Sequence, residues 1–220
     1  LDGQLGNLDR LHAAGLSIVG LTHFFDNRLG GSLHGRSGAG LTAFGRDVVR
    51  RAAELGMIVD VAHASPAMVR DVLAASERPV LLSHGGFDGV CPGPRNLDDA
   101  LMRDIAAAGG LIGVGFWDAA VCDITPAGIV RAISYGIDLV GVDHVALGSD
   151  FDGATTVALD ASELAVLTHE MRSAGFSREE IRKVMGDNVR RFLAANLPGR
   201  DASVAVGASV GLSFGDLPGC

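Results

Sequence analysis

Short apolar runs alternate along this chain with longer segments whose apolar positions recur every three to four residues. These are the two periodicities of buried strand and amphipathic helix. Leu5, Leu8 and Leu11 fall at helical spacing, and Gly15 ends that helix. The run from Leu16 to Thr22 then predicts a first strand, closed by His23. A glycine-rich loop spans Arg28 to Gly40, and a helix from Thr42 to Leu55 follows with Gly56 as its stop. Met57 to Ala62 predicts a second strand ending at His63, and Ser65-Pro66 opens a helix to about Ala75. Serine at the cap with proline in the first turn is a helix-start signature. Pro79 to Ser83 predicts a third strand ending at His84, followed by a helix over Asp98 to Ala108.

The pattern continues with a strand from Gly110 to Phe116, a helix from Thr125 to Tyr135, and a fifth strand from His144 to Ser149 ending at Asp150. Helices over Ala161–Ala174 and Arg178–Ala195 complete the ordered part. The stretch from Pro198 to Cys220 is rich in Gly, Ser, Ala and Val and nearly uncharged, so it reads as a linker or disordered tail. The expected division is therefore 1–197 as one α/β unit and 198–220 as a tail. Five βα units in succession require a parallel sheet with helical crossovers. Periodicity alone leaves open a doubly wound sheet or part of a barrel.

Composition narrows the picture. With 48% hydrophobic and 20% charged residues the 220-residue chain reads as globular. No apolar run reaches the roughly 18–20 residues of a membrane span. The formal charge of −8 disfavours a nucleic-acid partner and suits a pocket that holds cations. Cys91, Cys122 and Cys220 lack CxxC spacing and are odd in number. That argues against a disulfide framework and for free thiols in a reducing, cytoplasmic compartment.

Candidate chemistry sits at the strand ends. His23, His63, His84 and Asp150 close four of the five strands, and in parallel α/β folds the carboxyl ends of the strands face one common mouth. A single histidine after an apolar run is commonly a hydrogen-bonded structural residue. Three at consecutive strand ends followed by an aspartate point to a shared site. His144 starts a strand and is expected on the opposite face, His12 and His169 lie on helices, and His34 stands in the glycine-rich loop without further support. Arg95 leaves a catalytic strand as a planar fork suited to a carboxylate. Asp152 is expected to shape the turn after Asp150.

These residues resemble a specific family. LTH at 21–23, GxxxDxAHxS at 56–65, SH at 83–84, RN at 95–96, GSDFDG at 148–153 and GDNVRRF at 186–192 are similar to the renal (membrane) dipeptidases, peptidase family M19 of the amidohydrolase superfamily. The resemblance implies a (β/α)₈ barrel with a binuclear zinc centre that hydrolyses dipeptides through a zinc-bridging hydroxide. It implies that His63 and His84 bind one zinc, that Asp150 handles the proton of the attacking water, that His23 polarises the substrate carbonyl, and that Arg95 meets the substrate carboxylate.

The departures are specific too. The family's HxD pair on the first strand and its bridging glutamate on the third have no counterpart here, and Phe24 replaces the asparagine often found after the LTH histidine. The expectation is an N-terminally truncated chain carrying strands four to eight of the barrel, with at most one partial zinc site. Its open sheet edges would favour association, so a homo-oligomer is expected. Two alternatives accompany the dipeptidase reading: a non-catalytic remnant acting as a binding module, and another amidohydrolase such as a deaminase or lactonase. A lysine-bridged metal pair is disfavoured, because Lys183 is the single lysine and lies on a helix.

Overall fold

The computed structural model describes residues 1–197, and the expected tail at 198–220 lies outside the described residues. Its framework is a five-stranded parallel sheet: β1 (Ile18–Gly20), β2 (Ile58–Asp60), β3 (Leu81–Gly85), β4 (Leu111–Val114) and β5 (Val145–Leu147), in the spatial order β1-β2-β3-β4-β5. That order decides between the two architectures the periodicity left open. A doubly wound sheet reverses its strand order at a switch point. Here each new strand is added to the same side, as right-handed βαβ crossovers do when they wind a barrel. The fold is α/β, a partial (β/α)₈ barrel.

The helices form for local reasons. α1 (Gly6–Ala13) precedes β1. α2 (Ala43–Glu54) is capped by Thr42, whose side chain accepts from the Gly45 amide. α3 (Pro66–Ala75) combines a Ser65 cap with proline in its first turn, and α4 (Asp99–Ala107) is capped by Asp98. A four-residue helix, α5 (Asp118–Val121), stands after β4 where the sequence reading has only loop. α6 (Pro126–Val140) starts at Thr125-Pro126 and runs five residues past the expected Tyr135. α7 (Ala165–Ser173) is entered through a single tight turn at Ala161–Glu163.

The expected helix over Arg178–Ala195 is two helices. α8 (Arg178–Arg182) and α9 (Asn188–Asn196) are separated by a wider turn at Lys183–Asp187, where Gly186 adopts an extended conformation. No helix among the described residues is long and apolar enough to cross a membrane.

Strand side chains alternate between two cores, as period-2 geometry demands. Val59, Leu82, Ile112 and Val145 join the large core beneath the helices. Their neighbours Ile58, Leu111 and Ala146 form the second cluster with Phe192 of α9, joined by Ile18 and Leu81. Thus α9 packs on the other face of the sheet and fills its amino-terminal end. The next inward layer along the strands contains Gly113 and Gly148, where a Cβ would strike neighbouring backbone, the Ser83 carbonyl above all. Only glycine permits that approach.

Asn188, fully buried, ties α9 to the sheet: its amide donates to the carbonyls of Val142 (2.6 Å) and Val145 (2.8 Å). Removing this side chain strands two buried acceptors. Asn188→Ala should therefore lower unfolding free energy by about 2–4 kcal/mol in urea titrations. A change below about 0.5 kcal/mol, the usual scatter of surface substitutions, would contradict this role for the amide.

Candidate active site

The carboxyl ends of the strands carry the predicted residues to one mouth. His84 lies inside β3, whereas His23, His63 and Asp150 each stand three residues beyond the last residue of their strands. The side chains of His23, His63, Arg95 and Asp150 line a single cavity of about 110 Å³, together with Phe24, His34, Trp117, Ala119, Gly153 and Thr155.

Beside it two imidazoles meet, His63 from the cavity lining and His84 behind it. His63 Nε2 and His84 Nε2 are 2.9 Å apart, and Asp150 Oδ2 is 4.0 Å from His84 Nε2. The other nitrogen of His84 lies 2.8 Å from Ser83 Oγ, which fixes the ring. His63 Nδ1 is buried without a hydrogen-bond partner. The His23 ring stands edge-on to His63 with centroids 4.4 Å apart.

Backbone conformation aims these groups. His63 (φ 63°) and Asp150 (φ 56°) both adopt the left-handed region. For a residue with a Cβ that conformation costs on the order of 1–2 kcal/mol and persists where surrounding contacts impose it. At His63 the contacts are visible: its carbonyl accepts from the Leu33 amide at 2.7 Å and from Thr22 Oγ1 at 3.0 Å. At Asp150 the carbonyl takes the Gly153 amide (3.0 Å) and Thr155 Oγ1 (3.2 Å). A Cβ at Gly153 would collide with the Asp150 carboxylate, so that turn requires glycine. Asp60 ties two strand ends together, its Oδ1 accepting from the amides of Ala62 (3.0 Å) and Ser83 (3.1 Å).

Burial sets the protonation states. It lowers the pKa of His63 to about 3, helped by the Arg95 cation and the neighbouring histidines. His84 is also pushed down, chiefly by burial, with Asp150 opposing. Both rings are therefore neutral at physiological pH. Arg95 is buried and makes no ion pair among the described residues. Its Nη2 donates to the His84 carbonyl at 3.1 Å, and its guanidinium lies 5.1 Å from the Trp117 ring centroid. Desolvation lowers its pKa, opposed by Asp150 and Asp60. A desolvated cation whose close partners are a carbonyl and an indole face is receptive to an anion.

The donor chemistry fits one side of a zinc centre. In the 2.9 Å contact one Nε2 donates to the other; with the protons moved to Nδ1, two neutral imidazoles would each offer an Nε2 lone pair, and tetrahedral zinc holds two nitrogens about 3.3 Å apart, within small ring rotations of the observed spacing. The Ser83 contact supplies the outer hydrogen bond such ligands use. Among the described residues no group of three His, Cys, Asp or Glu side chains forms a closed metal site. The fit is to a partial centre.

Several sequence expectations change. His34 belongs to the site, its ring centroid 5.4 Å from that of His63 and 5.2 Å from that of Phe24. Asp26 folds its loop inward by accepting from the amides of Ser32, Arg36 and Ser37. An acid followed by glycines at 30, 31 and 35 was the available sequence signal. Trp117 had none beyond its position after β4. Cys91 and Cys122 are not free thiols; they form a disulfide across a sequence separation of 31. The loops after β3 and β4 are neighbours at the mouth, a proximity that spacing in sequence does not reveal. His144 does lie on the opposite face, with Nδ1 2.8 Å from the Gly110 carbonyl. Lys183 is engaged by Asp143 at 3.0 Å and Glu179 at 3.4 Å, and does not line the cavity.

Comparison with known proteins gives a consistent picture. The sequence model of the membrane dipeptidase family (peptidase family M19) matches residues 1–198. A Klebsiella pneumoniae protein described as an uncharacterized protein in the pqqA 5′ region is 34% identical over 207 residues, 87% of this chain and 76% of its own. The dipeptidase ataJ of Aspergillus terreus is 36% identical over 146 residues, 63% of this chain and 36% of its own. A metallo peptidase from Rhodobacter sphaeroides, solved with a phosphinate mimic of the dipeptide L-Ala-D-Ala, superposes with TM-score 0.78 at 28% identity, covering 88% of this chain and 60% of that one. The chain thus spans between about a third and three quarters of the lengths of these relatives.

The buried neutral histidines predict a pH effect. With folded-state pKa values below the ordinary 6.5, the unfolded chain binds more protons as pH drops. The stabilisation is complete above about 6.5 and is lost as pH falls toward the folded value. Chemical denaturation of chelator-treated protein from pH 7.5 to 4.5 should show that loss, and His63→Gln should flatten it. An unchanged slope in the variant would contradict the assignment.

Proposed function

The chain belongs to the membrane dipeptidase family, and from that premise we propose that its cavity is the proton-handling and carboxylate-selecting side of a zinc-dependent dipeptidase centre. The observation that carries this reading is the convergence of two neutral imidazole Nε2 atoms, 2.9 Å apart, beside Asp150 and near a buried Arg95 that makes no ion pair among the described residues. Histidines kept neutral in a cavity are suited to a cation. The arginine is suited to the end of a short peptide.

His63 and His84 would hold the metal. When bound, zinc supplies Lewis acidity that makes water nucleophilic near neutral pH. Asp150, an acceptor when ionised and a donor when protonated, takes a proton from the attacking water and returns it to the leaving amine. His23 donates to the substrate carbonyl oxygen, where negative charge develops. Arg95 binds the free carboxylate through its planar fork and thereby favours dipeptides over longer chains. The buried walls contributed by Trp117 and His63 limit competing water around these charges.

A second reading, a metal-binding but non-catalytic module, is favoured by one observation: the described residues present no closed three-ligand set. A lysine-bridged amidohydrolase site draws no support, because Lys183 is occupied by Asp143 and Glu179.

Zinc titration and hydrolysis of a dipeptide panel separate these readings. For the dipeptidase, His63→Ala and His84→Ala should each weaken zinc binding more than tenfold, because losing even a hydrogen-bond partner of a ligand costs about 10–100-fold. Asp150→Asn should lower kcat by about 10²–10⁴-fold with little change in dipeptide affinity. Zinc bound through both histidines without turnover of any dipeptide would favour the non-catalytic module. Unchanged zinc affinity in both histidine variants would remove the metal site altogether.

A further inference from the structure

Arg95 and Trp117 meet at the cavity, the guanidinium 5.1 Å from the ring centroid, yet they come from different βα units. Arg95 stands in the loop after β3, and Trp117 in the turn between β4 and α5. The last paired residues of those two strands are Gly85 and Val114, with one more backbone bond from the Gly115 amide to the Gly85 carbonyl at 2.7 Å. Beyond that point the sheet does not hold the two loops together.

Other groups do. The Cys91–Cys122 disulfide joins the loop after β3 to the residue that ends α5. Asn96, next to Arg95 in sequence and only 6% exposed, bridges the same two segments with one amide: its Nδ2 donates to the Cys91 carbonyl at 2.7 Å and to the Ala120 carbonyl at 3.0 Å. Gly86 faces this bridge so closely that a Cβ there would strike the Ala120 carbonyl and Asn96 Oδ1. Neither Asn96 nor either cysteine lines the cavity.

We propose that Asn96 and the Cys91–Cys122 bond are positioning elements for Arg95. They fix its guanidinium over Trp117 and so set how tightly the cavity takes the free carboxylate end of a substrate. The proposal rests on the reading of Arg95 given above. The physical basis is preorganisation: a fork already held in its bound orientation loses less freedom on meeting its anion than one on a mobile loop.

Trp117 is the chain's one tryptophan, so its emission reports directly on this contact. The test titrates the 220-residue chain with alanylalanine and with its C-terminal amide, following Trp117 emission, while far-UV circular dichroism monitors folding. The parent should prefer the carboxylate form, and Arg95→Met should abolish that preference. Asn96→Ala and the double variant Cys91→Ala/Cys122→Ala should each weaken the carboxylate ligand about tenfold, leave the amide ligand within about twofold, and shift the emission of the unliganded protein.

Equal losses for both ligands, or no loss for either, would overturn the proposal. Should Asn96→Ala fail to fold, the double cysteine variant carries the test, because it leaves both hydrogen bonds of Asn96 in place. A parent that binds the two ligands alike would instead overturn the carboxylate reading of Arg95, and the proposal with it.

Discussion

The site depends on one constraint: parallel strands added in sequence order must bring their carboxyl ends to one side. No local motif carries His63 toward His84. One follows β2 and the other lies in β3, and the pairing of these strands at Asp60 and Leu81 leaves the two side by side. Asp60 strengthens that junction by accepting from the amides of Ala62, just past β2, and Ser83, within β3. The same winding delivers Asp150 from β5 across β4. Gly113 and Gly148 let the intervening strands approach closely enough to keep the arc tight.

The electrostatics follow from that geometry. Crowding four histidines and an arginine into a low-dielectric mouth would be self-defeating if all were charged. Burial resolves it by keeping His63 and His84 neutral, while Arg95 retains its charge with support from a carbonyl and an aromatic face. On the proposed reading this arrangement separates two tasks: the paired imidazoles for a cation, and the guanidinium of Arg95 for an anion. The left-handed backbones at His63 and Asp150 are the local cost of aiming these side chains.

Much of this was legible in sequence. Apolar runs marked all five strands because buried parallel strands need continuous hydrophobic surface, and the caps at Thr42, Ser65, Asp98 and Thr125 fixed helix starts within a residue or two. Strand-end position singled out His23, His63, His84 and Asp150, and the structure brings all four to one mouth; the motifs around them resembled the family to which the chain proved to belong. What escaped was set by loops. His34 enters the cavity because Asp26 gathers three backbone amides, and Cys91 meets Cys122 because two loops from adjacent units share a rim. Neither proximity leaves a periodic trace. The break between α8 and α9 was also missed, since apolar spacing persists across Lys183–Asp187 although the backbone does not remain α-helical.

The central claim is that His63 and His84 share a cation through their Nε2 atoms. X-ray absorption at the zinc edge of the zinc-loaded protein tests it most directly. The account predicts two imidazole nitrogens in the coordination shell, at about 2.0–2.1 Å, and loss of one such contribution in His84→Ala. A spectrum with only oxygen ligands and no imidazole scattering would contradict it.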